Sequence, residues 1–165
     1  MYEDGKICLS LLGTWEGNKG EGWNASRSTL LQVIVSLLGL VLVKEPYFNE
    51  AGYEPLAGLE SSKRPSALYS ETTFLRARTF VITALSRLQE DTVFRMRSLE
   101  GLEDAVRWLY WAPGGPRLVD KVVVNLEEVL KRSEAGDAEP DGLTVMSKGV
   151  CIPLRRVLER LRELQ

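Results

Sequence analysis

Leu30-Leu31-Gln32-Val33-Ile34-Val35-Ser36-Leu37-Leu38-Gly39-Leu40-Val41-Leu42-Val43 is the most apolar stretch of this 165-residue chain, interrupted only by Gln32, Ser36 and Gly39. Its 14 residues fall short of the roughly 20 that a bilayer requires, so a core helix is expected and no membrane span. Asn24-Ala25-Ser26-Arg27 offers the helix entry, with Ser26 or Ser28 as cap. Glu45-Pro46 closes it, because proline disfavours helical geometry in the residue before it. A helix apolar nearly all round needs cover nearly all round. Gln32, Ser36 and Gly39 are spaced four and three apart, so they share one narrow face open to solvent or a partner.

Upstream of this helix, residues 6–12 form a short apolar run without helical period, expected to be extended, and Gly13, Gly17, Gly20 and Gly22 make a loop. Downstream, residues 46–65 read as a loop. A second helix is expected over about 67–88, from the spacing of Phe74, Val81, Leu85 and Leu88. A third covers about 101–110, before Pro113-Gly114-Gly115-Pro116, and a fourth about 117–132. Ser133–Gly142 is acidic and contains Gly and Pro, the composition of a linker. Beyond Pro153, Leu154, Val157, Leu158, Leu161 and Leu164 form one stripe, opposite Arg155, Arg156, Glu159, Arg160, Arg162 and Glu163. Strand signal is sparse, and the expected class is mostly α. The expected organisation is a domain over 1–131, a linker over 132–150 and an amphipathic C-terminal helix over 151–165.

Composition narrows the chemistry. With 21 basic and 23 acidic residues, the net charge of −2 supplies no broad positive field for nucleic acid. There is no histidine. Cys-His and Ser-His catalytic pairs and a mixed Cys/His zinc site within the chain are thereby excluded. Cys8 and Cys151 lie far apart and make neither a disulfide framework nor a metal set, which points to a reducing compartment. Met1–Lys6 lacks a secretory signal pattern, so Asn24-Ala25-Ser26 is not expected to be glycosylated. Gly17-Asn18-Lys19-Gly20-Glu21-Gly22 lacks the Gly-Lys-Ser/Thr ending of a phosphate loop and reads as an insertion loop.

Tyr2-Glu3-Asp4-Gly5-Lys6-Ile7-Cys8-Leu9-Ser10-Leu11-Leu12 resembles the active-site segment of ubiquitin-conjugating enzymes: a polar turn, a glycine, then an aliphatic residue before the cysteine. Trp23, the apolar helix and Glu45-Pro46 follow in the family's order. The Ser10-Leu11 pair, Trp15, the run Glu45-Pro46-Tyr47-Phe48-Asn49-Glu50-Ala51-Gly52 and Gly115-Pro116-Arg117-Leu118-Val119 resemble the very large hybrid members that combine conjugating and ligase activity, of the BIR-repeat giant type and the O type. The likeness is densest over 2–53, continues to about 131 and thins beyond.

The resemblance implies the C-terminal, helix-rich part of an α+β fold, N-terminally truncated, with the first helix and most of the antiparallel sheet absent. The family's His-Pro-Asn or Asn-Pro-Asn tripeptide would end just upstream of Met1. An uncovered apolar surface on the Leu30–Val43 helix is then expected. The resemblance also implies site roles. Cys8 becomes the thioester-forming nucleophile, which needs no histidine partner. Glu45 positions the acceptor lysine, Gln32, Ser36 and Gly39 face the bound ubiquitin, and Trp23, Asn24 and Ala25 meet a ligase. The implied partners are ubiquitin, an activating enzyme and a ligase. No cofactor is called for, and the implied compartment is the cytoplasm, with the nucleus second. The rival expectation is a degenerate, non-catalytic module that binds ubiquitin or a ligase.

Overall fold

The structure is a computed structural model, and it describes residues 7–50, 52–90, 101–136 and 145–165. Residues 2–6 of the active-site-like segment and the middle of the expected linker lie outside these. Five α-helices are present among the described residues, with no strand. Mostly α, as composition and periodicity predict, is therefore the observed class. The chain forms two compact units, Met1–Ser66 and Ala67–Gln165.

In the first unit the apolar helix enters later than Ser26 or Ser28. Thr29 is its cap: the Thr29 side chain accepts from the Gln32 backbone N–H, and the Gln32 side chain accepts from the Thr29 N–H. This reciprocal box satisfies two otherwise unpaired backbone donors. Ser26 and Ser28 are instead occupied by Asn24 in a preceding turn. Helix α1 spans Leu30–Ser36, and the chain then widens into a π-turn over Leu37–Val41, in which the Leu42 N–H reaches back to the Leu37 carbonyl. Gly39, a poor helix former, sits in this turn. The α-helix is therefore shorter than the apolar run.

No residue of α1 or the π-turn is buried. Leu30 is 71% exposed and Leu38 60%, and Leu31, Ile34, Val35, Leu40 and Leu42 are exposed as well. The expected uncovered apolar surface is present. Two short 3₁₀ turns follow, Pro46–Asn49 and Glu54–Leu56, each with a proline in its first turn. Asn49 Nδ2 donates to the Val41 carbonyl at 3.4 Å, and Tyr47 packs edge-on against Phe48 and tilted against Tyr53.

Helix α2 spans Glu60–Gln89, starting seven residues before the helix expected from 67. Ser62 helps to seat its start: the hydroxyl donates towards the Leu56 and Leu59 carbonyls. Pro65 lies inside α2, where it cannot donate to the carbonyl four residues back. The first turns are nonetheless helical.

The second unit is built from the rest of α2 with α3 (Glu103–Trp111), α4 (Leu118–Ala135) and α5 (Lys148–Glu163). Val119, Val123, Leu126 and Leu130 of α4 recur every three or four residues and are buried. Val123, Leu126 and Leu130 share a core with Ile82 and Leu85 and with Cys151, Leu154, Val157, Leu158 and Leu161 of α5. Burying side chains of this size stabilises by about 1.5–3 kcal/mol each, so α4 and α5 hold the unit together. The last two helices reach further than expected: α4 takes residues 132–135 and α5 takes 148–150, both assigned to the linker from sequence. Gly136, with φ 73°, ends α4 through a bond to the Arg132 carbonyl.

Helix α5 begins at Lys148, five residues before Pro153, and Ser147 ahead of its first turn is held by α2. The Glu71 carboxyl group, 5% exposed, accepts from the Ser147 N–H at 2.5 Å and from its hydroxyl at 2.8 Å. At the other end, the Leu164 carbonyl accepts from Trp111 Nε1 at 2.6 Å and Gln89 Nε2 at 3.2 Å.

A cysteine turn as candidate functional site

The backbone at Leu9 is extended, after which Ser10–Leu12 closes a 3₁₀ turn ended by Gly13 at φ 66°. The extended run expected over residues 6–12 therefore does not continue past Leu9, and Lys6 lies outside the described residues. Two peptide groups flank Cys8, and one side chain touches both. Thr14 Oγ1 donates to the Ile7 carbonyl at 2.5 Å and accepts from the Leu9 N–H at 3.0 Å. The Thr14 N–H also donates to the Leu9 carbonyl at 3.3 Å. Leu9 is buried, anchoring the turn from its apolar side, while Cys8 beside it is half-buried. Both Cys8 and Cys151 are free thiols. The two differ in setting: Cys151 is buried in the helical core of the second unit, in keeping with a structural role.

The glycine loop folds back on this turn. A side chain at Gly17 would overlap the Ser10 side chain. Glu21 accepts from the Asn18 N–H at 3.0 Å and from Asn18 Nδ2 at 2.8 Å. The Asn18 side chain, then its backbone, holds the Glu21 carboxyl below the usual carboxylate range. These bonds close the loop from Asn18 to Glu21 on itself.

Trp23, Asn24 and Ala25 are exposed, with Trp23 at 52%. Asn24 organises its own neighbourhood: Oδ1 accepts from the Ser26 N–H and hydroxyl, while the Asn24 N–H donates to the Ser28 hydroxyl. Gln32 is exposed but tied into the α1 cap, Ser36 is half-buried and Gly39 is exposed in the π-turn. Because the helix widens between Ser36 and Gly39, the three are not successive positions of one α-helical face. Glu45 is exposed and accepts at 3.2 Å from the hydroxyl of Ser66, itself 2% exposed. Among the described residues no hydrogen bond joins Cys8, Glu45, the Gln32 group and the Trp23 loop to one another.

The described residues contain no group of three or more His, Cys, Asp or Glu able to hold a metal ion. Among them, no helix is long and apolar enough to cross a membrane.

No family model matches the chain. Curated proteins do. It is 54% identical over 84 residues to the probable ubiquitin-conjugating enzyme E2 25 of Arabidopsis thaliana, covering 50% of this chain and 14% of that protein. It is 49% identical over 71 residues to the probable ubiquitin-conjugating enzyme E2 R521 of Acanthamoeba polyphaga mimivirus, covering 43% of this chain and 5% of that one. About half of this chain is homologous to ubiquitin-conjugating enzymes. The homologues include BIRC6 of Homo sapiens, described as a dual ubiquitin-conjugating enzyme and ubiquitin-protein ligase, 52% identical over 69 residues, or 42% of this chain and 1% of that protein. The chain spans only a small part of the length of each of these relatives.

Two residues of this conjugating-enzyme homologue escape a reading of its sequence: Thr14, which bonds to both peptides around Cys8, and Ser66, which meets Glu45. Thr14 lies at the mouth of a glycine loop, where hydroxyl side chains bond to nearby backbone, and that is the signal available for it. Ser66 is 21 residues from Glu45, and nothing local announces the pair.

Proposed function

We propose that this chain carries the acyl-transfer site of a ubiquitin-conjugating enzyme, with Cys8 as the nucleophile. The observation that supports it is a free, half-buried thiol held on an ordered turn, in a chain half of which is homologous to such enzymes. In the first step the Cys8 thiolate attacks the thioester carbonyl that joins ubiquitin to the activating enzyme. A new S–C bond forms and the activating enzyme's thiolate leaves. In the second step a lysine amine of a substrate or ligase attacks the Cys8 thioester. The N–C bond forms, the Cys8 sulfur leaves as thiolate, and the amine's proton passes to solvent or a nearby base. Neither step needs a cofactor.

In this proposal Glu45 positions the incoming lysine, its carboxyl group oriented by Ser66. Gln32, Ser36 and Gly39 offer contacts to the carried ubiquitin, and the exposed Trp23, Asn24 and Ala25 offer a surface to a ligase. A helix-rich part of the conjugating fold belongs to the same proposal, as does a place in the cytoplasm or nucleus.

Incubation with activating enzyme, ATP and ubiquitin tests it. A reductant-sensitive adduct that Cys8→Ala abolishes and Cys151→Ala leaves intact is the expected result; an unmodified chain defeats the proposal. The exposed apolar surface of α1 favours a second reading, a non-catalytic module that binds ubiquitin or a ligase. That reading predicts binding to ubiquitin or a ligase without any adduct.

A further inference from the structure

We infer that Thr14 is a positioning residue for Cys8, an inference that rests on the proposed acyl transfer. The two backbone dihedrals at a cysteine's Cα, set by the planes of the peptides before and after it, fix the direction of its Cα–Cβ bond and so the point from which Sγ swings among its rotamers. The Ile7 carbonyl belongs to the first peptide and the Leu9 N–H to the second. Thr14 Oγ1 donates to one at 2.5 Å and accepts from the other at 3.0 Å. A hydroxyl has one proton to give and two lone pairs to receive with, so one atom makes both bonds at once. The result is a closed bracket around a single residue.

Two further contacts stop the bracket from sliding. The Thr14 N–H donates to the Leu9 carbonyl at 3.3 Å, and the Gly13 N–H donates to the Ser10 carbonyl at 2.9 Å. Gly13 takes a left-handed conformation, φ 66°, that turns the chain so that Thr14 returns alongside Cys8. Gly17 then lies close against Ser10. Cys8 has no histidine to orient it, since the chain has none. In acyl transfer between bound groups, misplacement of the nucleophile by a fraction of an ångström to an ångström costs rate at the chemical step and not at substrate binding.

The test uses the full chain with Thr14→Val, which keeps the shape and removes the hydroxyl, and Thr14→Ser, which keeps the hydroxyl. Once charged with ubiquitin, Thr14→Val is expected to discharge to free lysine about 10-fold more slowly at saturating amine, with little change in the amine KM. Thr14→Ser is expected to stay within about 2-fold of the unaltered chain. Alkylation of Cys8 by iodoacetamide, read by peptide mass, should rise about 5-fold in Thr14→Val as the segment loosens, and not in Thr14→Ser. Equal rates in all three proteins, or equal damage in both variants, overturn the inference. If the unaltered chain accepts no ubiquitin, the acyl-transfer proposal falls by itself, and the alkylation rates still judge the bracket. If Thr14→Val does not fold, hydrogen exchange in the unaltered chain decides. A protected Leu9 amide supports the bracket, and exchange at the rate of an unbonded amide removes it.

Discussion

Asp120 accepts from Arg117 Nε at 2.6 Å and Nη2 at 3.1 Å, and from Gln165 Nε2 at 3.0 Å. The Arg117 bonds, then that of Gln165, hold its carboxyl below its ordinary value of 3.8. A carboxyl whose folded-state value is depressed contributes stability above the unfolded value, and loses it as pH falls through the folded one. Asp120→Asn should therefore be less stable than the unaltered chain at neutral pH, with the gap closing progressively below about pH 3.8. Denaturant midpoints across pH check this; a gap that stays constant into strong acid contradicts it. Residue by residue, legibility was uneven. Cys8 is readable because a chemical type and its immediate neighbours suffice to mark it. Thr14, Ser66 and Glu71 are not, because each acts through a partner brought near by folding, 7, 21 and 76 residues away.

At the scale of the element, the start of α5 departs from the sequence reading. The sequence places the helix over 151–165, its stripe starting beyond Pro153, yet the helix runs from Lys148. Glu71 of α2 fixes the residue ahead of the first turn, accepting from both the N–H and the hydroxyl of Ser147. Glu71→Ala removes both bonds inside a buried pocket and should destabilise the second unit by about 2 kcal/mol. Glu71→Gln, which keeps one acceptor oxygen, should cost less. Chemical denaturation followed by circular dichroism measures both. Equal stability of all three proteins would show that Ser147 finds other partners. The buried stripes of α4 and α5 were legible, because residues three and four apart share a face whatever the helix packs against. The ends of α1 were not: Ser26 and Thr29 are both good caps, and only the bonds formed decide between them.

At the scale of the molecule, α1 and the π-turn carry a run of exposed aliphatic side chains within the first unit. Leu30, Leu31, Ile34, Val35, Leu38, Leu40 and Leu42 together form an apolar exposure that monomeric domains rarely leave open. The isolated chain should bind a hydrophobic dye in its native state, and Leu31→Lys with Leu38→Lys should lower that fluorescence by roughly half. No native-state dye binding would mean that the surface is covered in solution. The sequence by itself determined the class of the fold and the helical stripes of the second unit, since each depends on periodicity or on residue type, and it singled out Cys8 as the candidate nucleophile. Only the tertiary structure decided where α1 and α5 begin, how the chain divides into two units, and that one threonine bonds to both peptides around Cys8. Those outcomes are contests among hydrogen-bond partners of similar strength, and the winner is set by which groups folding brings within about 3 Å.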